Sequence, residues 1–264
     1  MNAAAEARQS ELDRALDAYE LSPALAAELF AVADLLADQV QLRNALADPT
    51  TPDDRRRTLV TTMLTGRVSA AAGAIAGAAS ALNWGSPSGL VAALERQGVR
   101  VLLGAAQASG RLDSVEEELF RFSRAVVGDP ALRAALDDRN APASARAHLV
   151  ANLLARRATP ETVDLAKRAA ATATHSFEAT VAGYLTLAAA ARERAIATVT
   201  VASGLDEDQR ARLQAALVRQ LGRQVNLQVV VDPAVLGGAR VRVGDDVIEG
   251  TVAGRLAAAE QQLS

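Results

Sequence analysis

The side chains best suited to chemistry in this sequence are a carboxylate group near the C-terminus and two histidines. Asp245 and Asp246, with Glu249 close behind, have the residue types of a metal or paired-carboxylate site. Adjacent acids in a glycine-led turn are usually solvated, and no histidine or further carboxylate stands at ligand spacing. His148 and His175 fall on separate predicted helices without an acid motif beside either. We interpret both as surface or packed histidines, and we expect neither a metal nor a catalytic residue.

Two glycine-containing segments have residue types that occur in phosphate loops or nucleophile turns. Leu236-Gly237-Gly238 follows Asp232-Pro233, but the next segment is a predicted strand, whereas a phosphate loop opens a helix. The only lysine, Lys167, lacks the glycines that precede it in a nucleotide-binding loop. Gly85-Ser86-Pro87-Ser88-Gly89 has proline where a nucleophile elbow carries its nucleophile. The first segment is interpreted as a sharp turn, the last as a linker, and no cofactor is expected.

Composition narrows the function classes further. The chain has 264 residues, 61 of them alanine, with no cysteine and a formal net charge of −3. The missing cysteines exclude disulfides and thiolate zinc sites, and the acidic balance argues against nucleic-acid binding. Alanine favours helices. The uncharged run Val68 to Leu94 is too rich in Ala, Gly and Ser to insert well into a bilayer, so no direct membrane insertion is expected.

Arginine clusters and the single tryptophan also have plain structural interpretations. Arg55-Arg56-Arg57 and Arg156-Arg157 are expected to be solvated helix faces, with contact to an acidic partner as the alternative. Trp84, at the end of an apolar helix, is expected to pack in the core or against the linker instead of stacking on a base. No catalytic constellation remains, so we do not expect an enzyme.

The most informative feature is an internal duplication at an offset of 90 residues. Between Leu42–Arg67 and Leu132–Arg157, 11 of 26 aligned positions are identical without gaps. Upstream, Glu28-Leu29-Phe30 lies opposite Glu118-Leu119-Phe120 in the same register. A period this long is typical of tandem domains, because solenoid repeats span about 20–50 residues.

Each copy has helical patterns that start at Ser/Thr/Asp–Pro pairs, which place a capping residue before a proline in the first turn. These pairs are Ser22-Pro23, Thr51-Pro52, Asp129-Pro130 and Thr159-Pro160. In the helix after Pro52, the predicted buried face consists of Leu59, Val60, Met63 and Leu64. One long alanine-rich helix is predicted from Glu161 to Arg194, with a break at Gly183.

After residue 195 the pattern changes to that of a small α/β unit. Ile196–Val201 alternates β-branched residues, which predicts a strand. Asp206 and Gln209 then form a variant of the capping box at the start of a helix. The remaining predicted elements are a helix with Leu213, Leu217 and Leu221 that ends at Gly222, strands at Val225–Val231 and Ala239–Val243, a turn at Gly244-Asp245-Asp246, and a closing helix from Gly250 to Leu263.

The C-terminal motif resembles the signature of the F-type ATP synthase delta subunit family, the bacterial relatives of the oligomycin-sensitivity-conferring protein. The segments that carry it are Val199–Ser203, Val231–Gly238 and Val241–Val252 followed by Arg255. The family usually has Asp-Gly-Ser where this chain has Glu249-Gly250-Thr251, a mild chemical departure. Upstream, Gly110-Arg111-Leu112-Asp113 resembles part of the family's helical domain. The signature residues assigned to structure or partner binding are Asp232, Pro233, Gly237, Gly238, Gly244, Asp245, Gly250, Thr251 and Arg255.

The resemblance implies a mainly α protein with two tandem helical-bundle domains and a small α/β domain at the C-terminus. The first helical domain would cover residues 1–85 as the duplicate copy, the second residues 86–194, and the α/β domain residues 195–264. The sequence resembles a long form of the family, in which the duplication accounts for residues 1–85.

The resemblance also implies a function, that of a non-catalytic connector in the peripheral stalk, or stator, of ATP synthase. Its helical domain would receive N-terminal helices of the alpha subunits, and its C-terminal domain would bind the C-terminal end of the b subunit. One copy per hetero-oligomeric complex, peripheral on the cytoplasmic face of the bacterial plasma membrane, is expected. An all-α adaptor with another helical partner is the alternative, followed by a nucleotide-binding or hydrolytic protein.

Two helical segments rich in small residues are candidates for lining the grooves in which this connector binds its partner helices. The Ser69–Leu82 helix and the Ala166–Ala191 region carry Ala and Gly that permit close helix approach. These faces are either grooves or core, and core is favoured. On this hypothesis the second copy retains the groove for the alpha subunit, and the first braces the stalk or makes further contacts with the head.

Overall fold

The structure is a computed structural model that describes residues 3–172, 174–194, 196–221, 226–232, 235, 238–243 and 246–249. Within them it has helices and one sheet, as the sequence predicts. Contacts divide the chain into two compact units, residues 1–187 and 188–264. The elements are α1 Ala3–Asp17, α2 Pro23–Asp38, α3 Val40–Ala47, α4 Asp53–Leu64, α5 Ala70–Ala81, α6 Pro87–Ala108, α7 Leu112–Gly128, α8 Pro130–Asp137, α9 Ala143–Leu154, α10 Pro160–Ala171, α11 Phe177–Arg194, β1 Ile196–Val201, α12 Glu207–Leu221, β2 Asn226–Val231, β3 Ala239–Val243 and β4 Asp246–Glu249.

The 90-residue offset seen in the sequence reappears in the helix bounds. Both ends of α4 and of α5 differ by 90 residues from those of α9 and of α10. The first residues of α6 and α11 have the same offset. Residues 3–17 of α1, shifted by 90, fall on residues 93–107 within α6. Helix α6 therefore ends the first copy and begins the second, and the two copies share it.

The segment predicted as a linker is the start of this shared helix. Ser86 is the N-cap of α6, because its Oγ accepts a hydrogen bond from the backbone N of Gly89 at 3.1 Å, and Pro87 occupies the first turn. Leu90 and Leu94 follow on the buried face. The prediction of a linker at residues 85–89 was wrong, because the Ser-Pro pair that starts α2 at Ser22 also starts α6 here. The predicted border at residues 85/86 thus lies at the N-terminus of a helix common to both copies.

The long helix predicted from Glu161 to Arg194 is two helices. Thr159 caps α10 as the sequence predicts, but α10 ends at Ala171 and α11 begins at Phe177. The backbone N of Phe177 donates to Asp137 Oδ1 at 2.7 Å, and the Oγ of Ser176 accepts from the backbone N of Ala179 at 3.2 Å. The break lies here, and not at Gly183, because side-chain acceptors satisfy the free N–H groups of a new helix start.

The small residues of α5 lie in the core of the first unit. Eight of its twelve residues are buried. At Gly77 an added Cβ would lie 3.0 Å from Thr61 Cγ2, so α4 and α5 approach each other closely. Helix α10 likewise buries Leu165, Ala166 and Ala169. The small residues of α5 and α10 are therefore core, as favoured, and Ala and Gly allow these helices to pack tightly. In α11, the rest of the predicted region, Ala182, Gly183 and Ala189 are exposed.

The second unit contains a four-stranded sheet in the order β2-β1-β3-β4, with β1 parallel to β2 and antiparallel to β3. Val199, Val201 and Leu217 are buried in its core. The capping box of α12 is confirmed: Gln209 N donates to Asp206 Oδ1, and Asp206 N donates to Gln209 Oε1.

The sequence prediction missed β4. Asp246, expected in a turn, is paired with Val243 of β3, and the two residues that follow it, Val247 and Ile248, are β-branched and favour a strand. The predicted closing helix, Gly250 to Leu263, lies outside the described residues.

One loop position has a left-handed backbone conformation in both copies but carries a different residue type in each. Arg156 has φ +60° where the first copy has Gly66 at φ +74°. Left-handed backbone costs a side-chain-bearing residue roughly 1–2 kcal/mol, and glycine avoids this cost. Arg156→Gly is expected to raise the free energy of unfolding by about 1 kcal/mol, and Gly66→Ala to lower it by a similar amount. Urea denaturation measures both, and equal stabilities for all three proteins would contradict this assignment.

Candidate functional site

The residues first considered for chemistry do not come together in the structure. His148 lies on α9 and His175 in the connection between α10 and α11, and both are exposed. The prediction that His175 falls on a helix was therefore wrong. Asp246 and Glu249 are the two ends of β4. Asp245 lies outside the described residues. Within the described part of the chain, no three His, Asp or Glu side chains could hold a metal ion, and no helix is long and apolar enough to cross a membrane.

Two of the signature residues, Asp232 and Gly238, can be placed. The backbone N of Asp232 donates to Val201 O at 2.9 Å, and its O accepts from the N of Val235 at 3.1 Å. Gly238, directly before β3, has φ +81°, a left-handed conformation that favours glycine. Both residues therefore shape the connection from β2 to β3. The other signature residues lie outside the described part: Pro233, Gly237, Gly244, Asp245, Gly250, Thr251 and Arg255.

The first unit carries its polar interactions in duplicate, beginning with a buried arginine. Arg56 of α4 was predicted to lie on a solvated face, but only 3% of its surface is exposed. Its guanidinium donates to Ser80 O and Ala81 O at the C-terminus of α5, at 2.8 and 2.7 Å. It also donates to Asp48 O and Thr51 O in the loop before α4, at 2.7 and 3.0 Å. The last carbonyls of a helix lack partners within the helix, and this guanidinium satisfies them.

Arg146 makes the same four contacts in the second copy. It donates to the carbonyls of Ala170, Ala171, Asp138 and Ala141 at 2.7–3.1 Å, and each acceptor is displaced by 90 residues from its counterpart in the first copy. The signal for this role was present in the sequence, since Arg56 and Arg146 are identical at the repeat offset. Their flanking arginines, by contrast, are exposed: Arg55 and Arg57 in the first copy.

A glutamate holds the other end of the same helices. Glu28 accepts from the N and Oγ of Ser69, the N-cap of α5. Glu118 accepts from the N and Oγ1 of Thr159, the N-cap of α10. A carboxylate at a helix N-terminus is favoured by the free N–H groups and by the helix dipole. Each copy therefore fixes its small-residue helix at both ends with one anion and one cation.

The copies are joined by a polar cluster around Arg168, which we call the joint. Its guanidinium binds both carboxylate oxygens of Glu95 in α6 at 2.5–2.8 Å. It also binds Asp34 in α2 at 2.8 Å and lies 4.8 Å above the ring centre of Phe30. The Oη of Tyr184 in α11 donates to Glu95 at 3.2 Å. Arg168 thus connects α10 of the second copy to α2 of the first through the shared helix.

The electrostatics of the joint follow from its burial and its charges. Burial alone would lower the pKa of Arg168, but hydrogen bonds and ion pairs to Glu95 and Asp34 raise this pKa above its ordinary value. Burial and the neighbouring Glu95 charge raise the pKa of Tyr184. Arg168 therefore stays a cation and Tyr184 a neutral donor at any physiological pH.

Glycine allows α2 to approach α6 beside the joint. An added Cβ at Gly98 would lie 2.4 Å from Phe30 Cε1, and one at Gly104 would lie 2.2 Å from Leu21 Cδ1. Such distances are below any van der Waals contact. Phe30 and Leu21 therefore pack directly on the backbone of the shared helix, which places Phe30 under Arg168.

A turn between α6 and α7 brings a further charge onto α10. Gly110 has φ +70° and ends the shared helix, and Arg111 binds the buried carboxylate of Glu161 in α10. The hydrogen bond from Arg111 lowers the pKa of Glu161. Gly110 and Arg111 belong to the segment that resembles the family's helical domain, so the contact gives this segment a structural role.

In the middle of the shared helix, Arg96, Gln97 and Arg100 surround the buried Asp13 of α1. Its carboxylate binds both terminal nitrogens of Arg96 at 2.5 and 3.1 Å and the Nη1 of Arg100 at 2.8 Å, and it accepts from Gln97 at 2.9 Å. Burial alone would raise the pKa of Asp13, but Arg96 and Arg100 together lower this pKa below its ordinary value of 3.8. No sequence pattern indicates this cluster, because its members lie on distant segments.

The Asp13 cluster predicts a specific pH dependence of stability. A carboxyl group with a lowered folded-state pKa stabilises the protein above its unfolded-state pKa, and this stability is lost as pH falls through the folded-state value. Asp13→Asn is expected to lower the free energy of unfolding by about 1.5 kcal/mol at pH 7, and the deficit should shrink below about pH 4. Urea denaturation between pH 7 and pH 3 tests this, with the exposed Asp17→Asn as a control of small effect. A deficit that is independent of pH would contradict the prediction.

Sequence comparisons agree with the resemblance in the C-terminal motif. The sequence model of the ATP synthase delta (OSCP) subunit family matches residues 99–263. ATP synthase subunit delta of Parafrankia sp. is 45% identical over 241 residues, 91% of this chain and 86% of the relative. The Kineococcus radiotolerans protein of that name is 43% identical, with 90% and 86% covered. The Streptomyces avermitilis one is 41% identical, with 99% and 96% covered.

The match to the Streptomyces relative includes the first helical copy. A solved mitochondrial ATP synthase of Toxoplasma gondii aligns to 62% of this chain and 94% of its own chain at 18% identity, with a TM-score of 0.31, which is too weak a likeness to carry an argument. The sequence matches carry the assignment by themselves: the chain belongs to the ATP synthase delta (OSCP) subunit family.

Proposed function

We propose that this chain is the non-catalytic delta subunit of an F-type ATP synthase, a part of the peripheral stalk that links the catalytic head to the membrane sector. The family match carries this proposal. A stator must resist the torque of the rotor during proton-driven ATP synthesis, and the joint supports such a role: ion pairs, a cation–π contact and glycine-mediated packing fasten both helical copies to one shared helix.

The partners we propose are the N-terminal helices of the alpha subunits for the helical unit and the C-terminal end of the b subunit for the α/β unit. One copy per complex would lie at the cytoplasmic face of the bacterial plasma membrane, as a peripheral component of a membrane-bound assembly. Helices recognise helices by laying an apolar stripe into a groove. The contribution of the signature residues to binding b is part of this proposal.

Membranes depleted of the chain test the stator role. ATP-driven proton pumping should be lost, while released heads keep hydrolysing ATP, because a head without a stalk turns with its rotor. Adding back the full-length chain should restore pumping. Loss of hydrolysis by the head itself, or pumping without the chain, would contradict the proposal.

Full-length chains with a single altered position are better suited to mapping the partners than chains with a deletion. Helix α2 packs on α6 through Phe30 and Gly98, so removal of residues 1–85 would strip a face of the shared helix. Full-length chains carrying a photo-crosslinker on α10 or α12 should be tested for capture of alpha or b peptides, respectively. Capture of b through α10 and of alpha through α12 would reverse the partner assignment.

A further inference from the structure

Strand β2 forms one edge of the sheet within the part of the chain that the structure describes. The backbone N of Asp232 donates to Val201 O of β1, and Val201 is the register partner of Val231. Successive residues of a strand direct their backbone groups to opposite sides, so every second residue counted back from Val231 faces away from β1. The residues of β2 whose N–H and C=O groups point outward are Leu227, Val229 and Val231.

The side chains of β2 favour pairing with a further strand. Asn226–Val231 contains no charged residue, and its last two side chains, Val230 and Val231, are 42% and 53% exposed. An uncharged, β-branched edge strand is a template on which another strand adds, because its outward N–H and C=O groups form a new ladder. Proteins protect such an edge with a charged side chain or a covering segment.

Arg210 of α12 occupies this edge. Its Nη2 donates to the O of Leu227 at 3.2 Å, and this carbonyl is one of those that point outward. A strand that added to β2 would need the same carbonyl for its own ladder, so the guanidinium competes directly with strand pairing. The neighbouring Arg212 donates within its own helix, to Asp208 O at 3.3 Å.

We propose that the outer edge of β2 is a strand-pairing site that Arg210 keeps closed. Its occupant, once the guanidinium leaves, is β2 of a second copy of this chain. The outward groups are arranged symmetrically about Val229, so antiparallel pairing of Val229 with its own copy places Leu227 opposite Val231 and satisfies the outward groups of both strands. Because β2 carries no charge, no like-charge repulsion opposes this pairing.

The inference goes beyond the proposed function, because it concerns the chain before assembly. A subunit that serves as one copy per complex must be a monomer when it is taken up, and pairing through β2 would withhold it in dimers. Arg210 is therefore a guard residue, whose hydrogen bond to Leu227 keeps the free chain monomeric.

Analytical ultracentrifugation of the full-length chain tests the guard. Arg210→Ala is expected to strengthen self-association about tenfold and to produce a dimer, because the guanidinium bond on each of the two edges no longer has to be broken. Arg212→Ala removes an exposed arginine of the same helix and should associate as the unaltered chain does. Arg210→Ala chains that associate no more strongly than the unaltered chain would overturn the inference.

A second substitution and a disulfide locate the contact. Val231→Pro in the Arg210→Ala chain removes an outward N–H group, and an edge strand tolerates proline there, so the monomer should return. The chain has no cysteine. An equal mixture of Gln228→Cys and Val230→Cys chains, both with Arg210→Ala, should therefore form one disulfide on oxidation, because these positions lie opposite each other in the expected register.

Chains with Gln228→Cys and Arg210→Ala are the matched control, and alone they should form little disulfide, since position 228 does not lie opposite itself. Equal disulfide formation in this control, or association that persists with Val231→Pro, would place the contact elsewhere and overturn the inference. Capture of a different protein by the cysteine at position 228, in place of a second copy, would also overturn it.

Discussion

Replacing Arg56 or Arg146 with alanine is expected to lower the free energy of unfolding by about 3 kcal/mol in either copy. Each guanidinium satisfies four backbone carbonyls, two at a helix C-terminus and two in the preceding loop. Alanine would leave several of these acceptors unpaired in a buried site and would open a cavity beside them. Urea denaturation of the full chain, followed by circular dichroism, measures the loss.

The repeat provides the controls for this prediction. Arg55→Ala and Arg57→Ala remove exposed neighbours and should change stability by at most about 0.5 kcal/mol. Arg56 has one ion pair that Arg146 lacks, to the exposed Asp53, and exposed pairs contribute little. The two alanine variants should therefore be destabilised about equally. If the free energy of unfolding fell by less than about 1 kcal/mol in both variants, the prediction would be contradicted. Water would then satisfy the carbonyls nearly as well as the guanidinium does.

Local capping signals made the element starts predictable from the sequence. Ser22, Asp129 and Thr159 cap helices as expected, and the alternating strand Ile196–Val201 is confirmed. Thr51 does not cap α4, because Pro52 is itself the N-cap residue of this helix. In these segments a few neighbouring residues decide the backbone conformation. The same rule applied to Ser86-Pro87 would have predicted the shared helix, but the two glycines nearby favoured a linker.

Helix α4 shows why part of the assignment of faces was wrong. Val60 and Leu64 are buried as predicted, but Leu59 is 48% exposed. The expected rule places apolar residues inside and charges outside, which favours Leu59 over Arg56 for the core. The structure buries Arg56 because the carbonyls at the end of α5 need donors, and the helix is thereby rotated so that Leu59 faces outward. This requirement for hydrogen-bond donors arises in α5, and therefore it cannot be recognised from the hydropathy pattern of α4.

The joint could not be predicted, because it occurs once in a duplicated sequence. Ala78 stands at the position equivalent to Arg168, so the repeat gives no hint of the contact. Arg168 and Asp34 are 134 residues apart and meet only because the two copies share α6. Contacts between copies arise from the tandem arrangement and not from the fold of either copy.

Arg168→Ala is accordingly expected to lower the free energy of unfolding by about 2–3 kcal/mol, because Glu95 would remain largely buried without its cation. Its exposed neighbour provides the control: Lys167→Ala removes a surface pair with Asp164 and should cost at most about 0.5 kcal/mol. In a double-mutant cycle, Arg168→Ala and Glu95→Ala should be coupled by about 1–2 kcal/mol.

Hydrogen exchange distinguishes whether Arg168 links the two copies or stabilises only the second copy. In Arg168→Ala, amide exchange should accelerate in α2 as well as in α10, because Asp34 and Phe30 of the first copy lose their partner. Exchange that accelerates in α10 alone would show that the first copy is held by α6 packing without the joint. The converse substitution, Ala78→Arg, should create no equivalent link, since Ala5 stands at the position equivalent to Glu95 and offers no carboxylate to the new guanidinium.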